Sequence, residues 1–221
     1  MLIELIDIWK IYSTSQILKG LNLTVVEGAF ISIRGKSGVG KTTLLKIIGL
    51  LDTPSKGEVK LLGKSVNGLG DAELSRLRLN HIGFIFQFFN LLPSLTVLEN
   101  IELPLALARV KKSERRERAM KLLSYFELGD LSKRFPINLS GGERQRIAVI
   151  RALTNNPEII LADEPTSSLD DENTELLMDL LRKINEENNV TIVLSTTDLY
   201  KKLPTNRDYL LKNGILSQVK L

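Results

Sequence analysis

The stretch Gly35-Lys36-Ser37-Gly38-Val39-Gly40-Lys41-Thr42 has the residue types and the spacing to hold a polyphosphate. Its glycines let successive backbone N–H groups curl inward toward phosphate oxygens. Helix formers from Lys41 onward place a positive helix start at the same point. In this pattern the Lys41 ammonium reaches the β- and γ-phosphates and the Thr42 hydroxyl can ligate Mg²⁺. Thr43 can bond an α-phosphate oxygen. A phosphate cradle also needs a carboxylate for its metal. Ile159-Ile160-Leu161-Ala162-Asp163-Glu164 ends an apolar run in two carboxylates. Asp163 is placed to hold Mg²⁺ through water, and Glu164 to act on a water as general base.

These groups need elements to position them. Phe30 to Ile33 reads as a strand entering the glycine turn, and Lys41 to Gly49 as the helix leaving it. The pattern also predicts strands at Leu2–Ile8, Leu21–Val26, Glu58–Leu62, Ile82–Gln87, Glu158–Asp163 and Val190–Ser195. Helices are expected at 71–80 and Asn173–Glu187, and helical structure through about Thr96–Lys133. Asn213-Gly214, between Tyr209–Leu211 and Ile215–Val219, is a strong hairpin signal. Strands alternating with helices imply an α/β chain with a parallel core.

Composition narrows the chemistry. The 221 residues suit one domain, and 43% hydrophobic with 25% charged is an ordinary globular mix, which argues against disorder or a fibrous rod. There is no Cys, so thiolate metal sites and Cys nucleophiles are excluded. The single histidine, His81, cannot make a two-histidine metal site and is expected at the surface or in a helical region. No apolar run is long enough to span a bilayer. The opening residues, with Glu4 and Asp7 among them, do not read as a signal peptide. The net charge of +4 suits phosphate ligands or an anionic membrane surface without proving either. The charged run Lys111–Arg118 mixes signs without aromatics, so it reads as a solvated helix face, and no nucleic-acid partner is expected.

Leu139-Ser140-Gly141-Gly142-Glu143-Arg144-Gln145-Arg146 resembles the signature motif of ATP-binding cassette (ABC) ATPases. Physically it looks like a second anion-binding helix start. Other family elements follow in order. Gln87 resembles the Q-loop glutamine, Ser168-Leu169-Asp170 resembles the D-loop, and Tyr12 lies where the family stacks an aromatic on adenine, with Trp9 the weaker candidate. The resemblance covers essentially the whole chain. It implies a P-loop core with a mostly parallel sheet, an antiparallel β subdomain and an α-helical subdomain. About 1–86 and 146–221 would form the core with the β subdomain, and about 87–145 the helical subdomain with the signature.

The resemblance further implies ATP and Mg²⁺ as cofactors, with Gln87 joining Thr42 and Asp163 at the metal. Two cassettes, most simply identical, would close head to tail. Ser140, Gly141, Gly142 and Asp170 would then complete the nucleotide site of the partner copy. Phe86 to Asn100 is similar to cassettes of the lipoprotein-releasing and macrolide-exporter branch. There, segment 87–100, with Phe88, Phe89, Leu91 and Leu92, would line the groove that receives a helix of a membrane permease. The chain would sit in the cytoplasm, held to the inner face of the membrane by that permease. DNA-repair relatives carry a very long coiled-coil insertion, but only about a hundred residues separate Gly35 from Ser140. One departure matters. Aligning Asp198 with the family's usual Asp puts Thr197 where a histidine contacts the γ-phosphate. Lys36 occupies a place often filled by Pro. Losing one good donor to a transition state slows a reaction by ~10²–10³, so slow hydrolysis is expected, and a nucleotide-gated module that barely hydrolyses ATP is the alternative.

Overall fold

The computed structural model describes residues 1–199 and 202–219. Its centre is a six-stranded sheet. β3 (Phe30–Arg34), β6 (Ile82–Ile85), β7 (Ile159–Asp163), β8 (Thr191–Thr196) and β9 (Arg207–Lys212) run parallel, and β10 (Ile215–Val219) adds an antiparallel edge to β9; the order is β10-β9-β3-β8-β7-β6. β3, β7 and β8 are almost continuously buried, as strands covered on both faces must be. One face packs on α1 (Lys41–Ile48) through Leu44, Ile47 and Ile48. The other packs on α6 (Asp171–Asn188) through Leu177, Leu181 and Ile184.

A second, antiparallel sheet holds β1 (Ile3–Tyr12), β2 (Ser15–Val25), β4 (Lys56–Leu61) and β5 (Lys64–Ser65) in the order β2-β1-β4-β5. β1 and β2 run longer than alternation predicts. Register shifts between Leu5 and Ile8 and again near Lys10 interrupt the period of two, so the apolar pattern loses phase while the pairing continues. β6 stops at Ile85, and Phe86 and Gln87 lie beyond it, Gln87 in a turn rather than on a strand. The hairpin forms as predicted: Asn213 and Gly214 both have positive φ (53° and 81°), as the I′ turn requires.

α2 (Asp71–His81) precedes β6. The helical stretch resolves into α3 (Val97–Leu107) and α4 (Lys112–Tyr125), broken where Arg109 takes a positive φ. α4 buries Ala119 and Leu123 and turns its charges outward. With α5 (Gly141–Leu153), they share a core of Val97, Ile101, Leu123, Ile147 and Ile150. α5 also places Val149, Ala152 and Leu153 in the core under the large sheet. It therefore runs without a break across residues 145 and 146 and joins both cores rigidly. No helix among the described residues is long and apolar enough to cross a membrane.

Candidate functional site

β3, β7 and β8 end side by side, and the chemistry gathers at their carboxyl ends. The phosphate loop leaves β3 at Gly35, whose N–H donates to the Thr196 carbonyl (3.2 Å). A side chain at Gly35 would sit 2.7 Å from the Leu211 carbonyl oxygen, so only glycine lets the loop leave here. Gly40 starts α1 at φ 110°, which also favours glycine. α1 has no side-chain cap and no acidic residue in its first turn, whereas Thr96, Ser140 and Asp170 cap α3, α5 and α6. The uncapped N–H groups face the loop and suit an oxyanion. Space opens over Gly38, where an added Cβ would meet nothing within 4 Å. The chain's own residues thus fit a polyphosphate.

Lys41 is only 3% exposed. Its Nζ donates to the carbonyls of Gly35 (2.8 Å) and Lys36 (3.1 Å) and pairs with Glu164 Oε1 at 3.0 Å. Glu164 follows Asp163 with φ 46°, in the left-handed region uncommon for a carboxylate residue. Its amide donates to the Ser195 carbonyl (3.2 Å) and to Ser195 Oγ (3.1 Å). The same hydroxyl donates to Asp163 Oδ1 at 2.6 Å. Ser195 is fully buried and orients both carboxylate residues at once. Sequence reasoning missed it; the signal was its place opposite Asp163 in the β7–β8 register. Thr42 is exposed and Thr43 half-buried on the first turn of α1, and Ser37 and the Lys36 side chain are exposed.

Tyr12, 44% exposed at the end of β1, donates its hydroxyl to Asp52 Oδ2. Lys10 Nζ lies 4.8 Å over one face of the ring and bonds Asp52 Oδ1 (2.6 Å) and the Thr53 carbonyl (2.7 Å). Burial alone would raise the Asp52 carboxyl, but hydrogen bonds from Lys10, Tyr12 and the Thr53 amide outweigh it and hold it below the ordinary range. The Asp52 bond pushes the Tyr12 phenol up, while the Thr43 hydroxyl pulls it the other way. Tyr12 therefore stands beside the phosphate loop as a fixed aromatic plate. Trp9 packs over Gly20 instead, its indole N–H on Asp7 Oδ1 (2.9 Å).

Ser140 caps α5: its Oγ accepts the Glu143 amide (3.2 Å) while Glu143 Oε2 accepts the Ser140 amide (2.7 Å). That backbone bond holds the Glu143 carboxyl low. Unlike α1, this helix start is already satisfied by a carboxylate, so its capacity for a further anion rests on the Ser140 O–H and the glycine backbone. Gly142 is buried against Asn173, whose Oδ1 would lie 2.0 Å from a Cβ there. Asn173 in turn is held by the Asp170 carboxylate (2.9 and 3.0 Å). The Gln145 side chain donates to the Pro165 carbonyl (2.8 Å), tying α5 to the loop after Glu164. Ser140 to Gln145, Asp170 with Asn173, and the loop after Asp163-Glu164 thus form one connected unit within the chain.

Thr197 lies exposed one residue beyond β8. His81 ends α2 at the opposite, amino-terminal edge of the parallel strands, its Nδ1 3.0 Å from Glu158 Oε2. An apolar groove of about 530 Å³ opens between α2, β6, α3 and α5, lined by Leu79, Phe84, Leu103, Pro104, Leu107 and Arg151 among others. Residues 87–100 are not among those lining it. That segment borders the groove through Arg151, which donates to the carbonyls of Phe89 (2.9 Å) and Asn90. Phe88 stands 72% exposed nearby.

The family model for ABC transporter matches residues 18–167. The chain belongs to the ABC transporter family. The cassette is 43% identical to the ATP-binding cassette MJ0796 of Methanocaldococcus jannaschii, with a TM-score of 0.89 over 99% of both chains; that protein is described as a dimer in a post-hydrolysis state bound to ADP and Pi. It is 47% identical to the lipoprotein-releasing system ATP-binding protein LolD of Aquifex aeolicus, over 94% of this chain and 92% of that one. It is also 46% identical to ABC transporter H family member 2 of Dictyostelium discoideum, over 91% of this chain but only 40% of that longer protein.

Proposed function

We propose that this cassette binds and hydrolyses ATP, closes on a second copy of itself around MgATP, and drives a separate integral membrane permease. The observation that supports this best is the meeting of Lys41 and Glu164 at 3.0 Å over the uncapped start of α1. The cation that would take the γ-phosphate and the carboxylate that would take a proton from water share one point. When a phosphate claims Lys41, Glu164 is released to accept that proton. Gly35 to Thr43 hold the phosphates and Tyr12 stacks on the base. Gln87 and Thr197 assist at the γ-phosphate. Mg²⁺ held by Thr42, Asp163 and Gln87 would neutralise phosphate charge.

Ser140, Gly141, Gly142 and Asp170 would complete the site of the opposite copy, a reading supported by the dimer described for MJ0796. Residues 1–86 with 146–221 form the catalytic core, and 87–145 the helical subdomain, with α5 shared between them. The groove beside Phe84 and Leu103 suits an apolar helix of the permease, which would hold the cassette at the inner face of the membrane. Thr197 favours one second reading: its hydroxyl donates but carries no charge, so the cassette works slowly, as a nucleotide-gated interaction module. Sedimentation of Glu164→Gln with and without MgATP tests the assembly. A dimer only with nucleotide is expected; a monomer in both conditions contradicts it.

A further inference from the structure

Arg34, the last residue of β3, is 1% exposed and is the largest fully buried side chain. A buried cation is costly even when paired, and an apolar residue of similar size is often as stabilising. Its place in the strand feeding the phosphate loop therefore calls for a role beyond stability. Its Nε and Nη2 donate to Asp208 Oδ1 on β9 (3.1 and 3.0 Å). Ser32 and Thr205 donate to the same oxygen, so Asp208 is a firm anchor. The remaining arm, Nη1, reaches past the end of β8 and donates to the Asp198 carbonyl (3.1 Å). The next residue, Gly35, donates its amide to the Thr196 carbonyl (3.2 Å). Thr197 is therefore bracketed: the residues on either side of it are tied to consecutive residues at the mouth of the phosphate loop.

We propose that Arg34 is a positioning residue that fixes Thr197 over the phosphate loop by holding the Asp198 carbonyl from an anchor on Asp208. The backbone pairing of β3 with β8 ends at Thr196 and the Asp198 amide turns back onto Thr196 Oγ1 (3.1 Å); the Arg34 arm ties the far side of Thr197 to β3. The guanidinium reaches the Asp208 carboxylate through Nε and Nη2 and the Asp198 carbonyl through Nη1, whereas a lysine at this position would present all its donors at one nitrogen and could not span both. The inference rests on the proposed ATPase reading for its kinetic consequence, but not for its structural one.

The test uses the whole chain. Arg34→Lys keeps a charge on Asp208 and gives up the arm to Asp198. Arg34→Met with Asp208→Leu removes both ends together, so no buried charge is orphaned. Hydrogen exchange of amides 195–199 is expected to speed up about tenfold in both, with β3 and β7 unchanged, as local rather than global opening. Steady-state kinetics should show kcat down about tenfold with KM for ATP within about twofold, and no further loss when Arg34→Lys is added to Thr197→Ala. Unchanged exchange at 195–199, a general rise across the sheet, or losses that add fully with Thr197→Ala would overturn the proposal. If the unmodified protein released no phosphate, the ATPase reading would fail, and the exchange pattern alone would decide for or against Arg34.

Discussion

Lys41 Nζ and Glu164 Oε1 form an ion pair at 3.0 Å, with Lys41 almost wholly buried. The proposed base is thus held by the cation that a phosphate would claim. On the proposed reading, nucleotide entry would exchange one anion for another on Lys41, and the same exchange would free Glu164. Binding and activation would then be coupled through a single ammonium group.

Lys41→Ala is expected to weaken ATP affinity by at least about 100-fold, the scale of removing one partner from a buried charge contact. Glu164→Gln should bind ATP as well as the unmodified chain or better, since a competing anion is gone. Fluorescent-nucleotide titration of both variants checks this; equal affinities for all three proteins would contradict it.

Thr197→His should raise kcat by about 10²-fold, the scale of one well-placed donor at a developing charge. Phosphate release measured at saturating MgATP decides. Unchanged turnover would mean that Thr197 does not limit the reaction.

Ser195→Ala removes the donor to Asp163 Oδ1 and one acceptor for the Glu164 amide, both at a buried position. A loss of about 1–3 kcal/mol in stability is expected from the unsatisfied groups, with a kcat loss larger than that of Ser167→Ala, whose exposed hydroxyl donates to the Glu164 carbonyl (3.0 Å). Urea unfolding together with phosphate release tests both parts.

How much of this was legible in the sequence depended on contiguity. Gly35 to Thr42 is an unbroken string read from residue type and spacing, Asp163-Glu164 is read by pairing with it, and Ser140 to Gly142 is read from the family resemblance. The parallel core was legible because Ile159–Ala162 and Ile192–Leu194 are continuous apolar runs, as strands covered on both faces must be. Arg34 and Asp208 were not legible: an arginine in a strand reads as exposed, and its partner lies 174 residues away. Ser195 sits where the apolar run Ile192–Leu194 gives way to Thr196-Thr197-Asp198, and nothing in the string singles it out. The groove lined by Phe84, Leu103 and Leu107 was not legible, because these residues converge only in three dimensions.

Asp52 gives a pH signature. Its folded pKa lies below the ordinary carboxylate value of about 3.9. It therefore contributes stability above that value, and loses it as the pH falls through the lower folded value. The melting temperature of the unmodified chain should exceed that of Asp52→Asn at pH 6, with the gap narrowing as the pH falls below the ordinary carboxylate value of about 3.9. A gap that does not depend on pH would contradict the Lys10–Asp52–Tyr12 account.

The most direct measurement is phosphate release from the purified chain with MgATP, beside Glu164→Gln. The account predicts slow but measurable turnover in the unmodified protein and none in the variant, with ATP bound by both. Equal release from the two would contradict it, because Glu164 would then carry no chemistry.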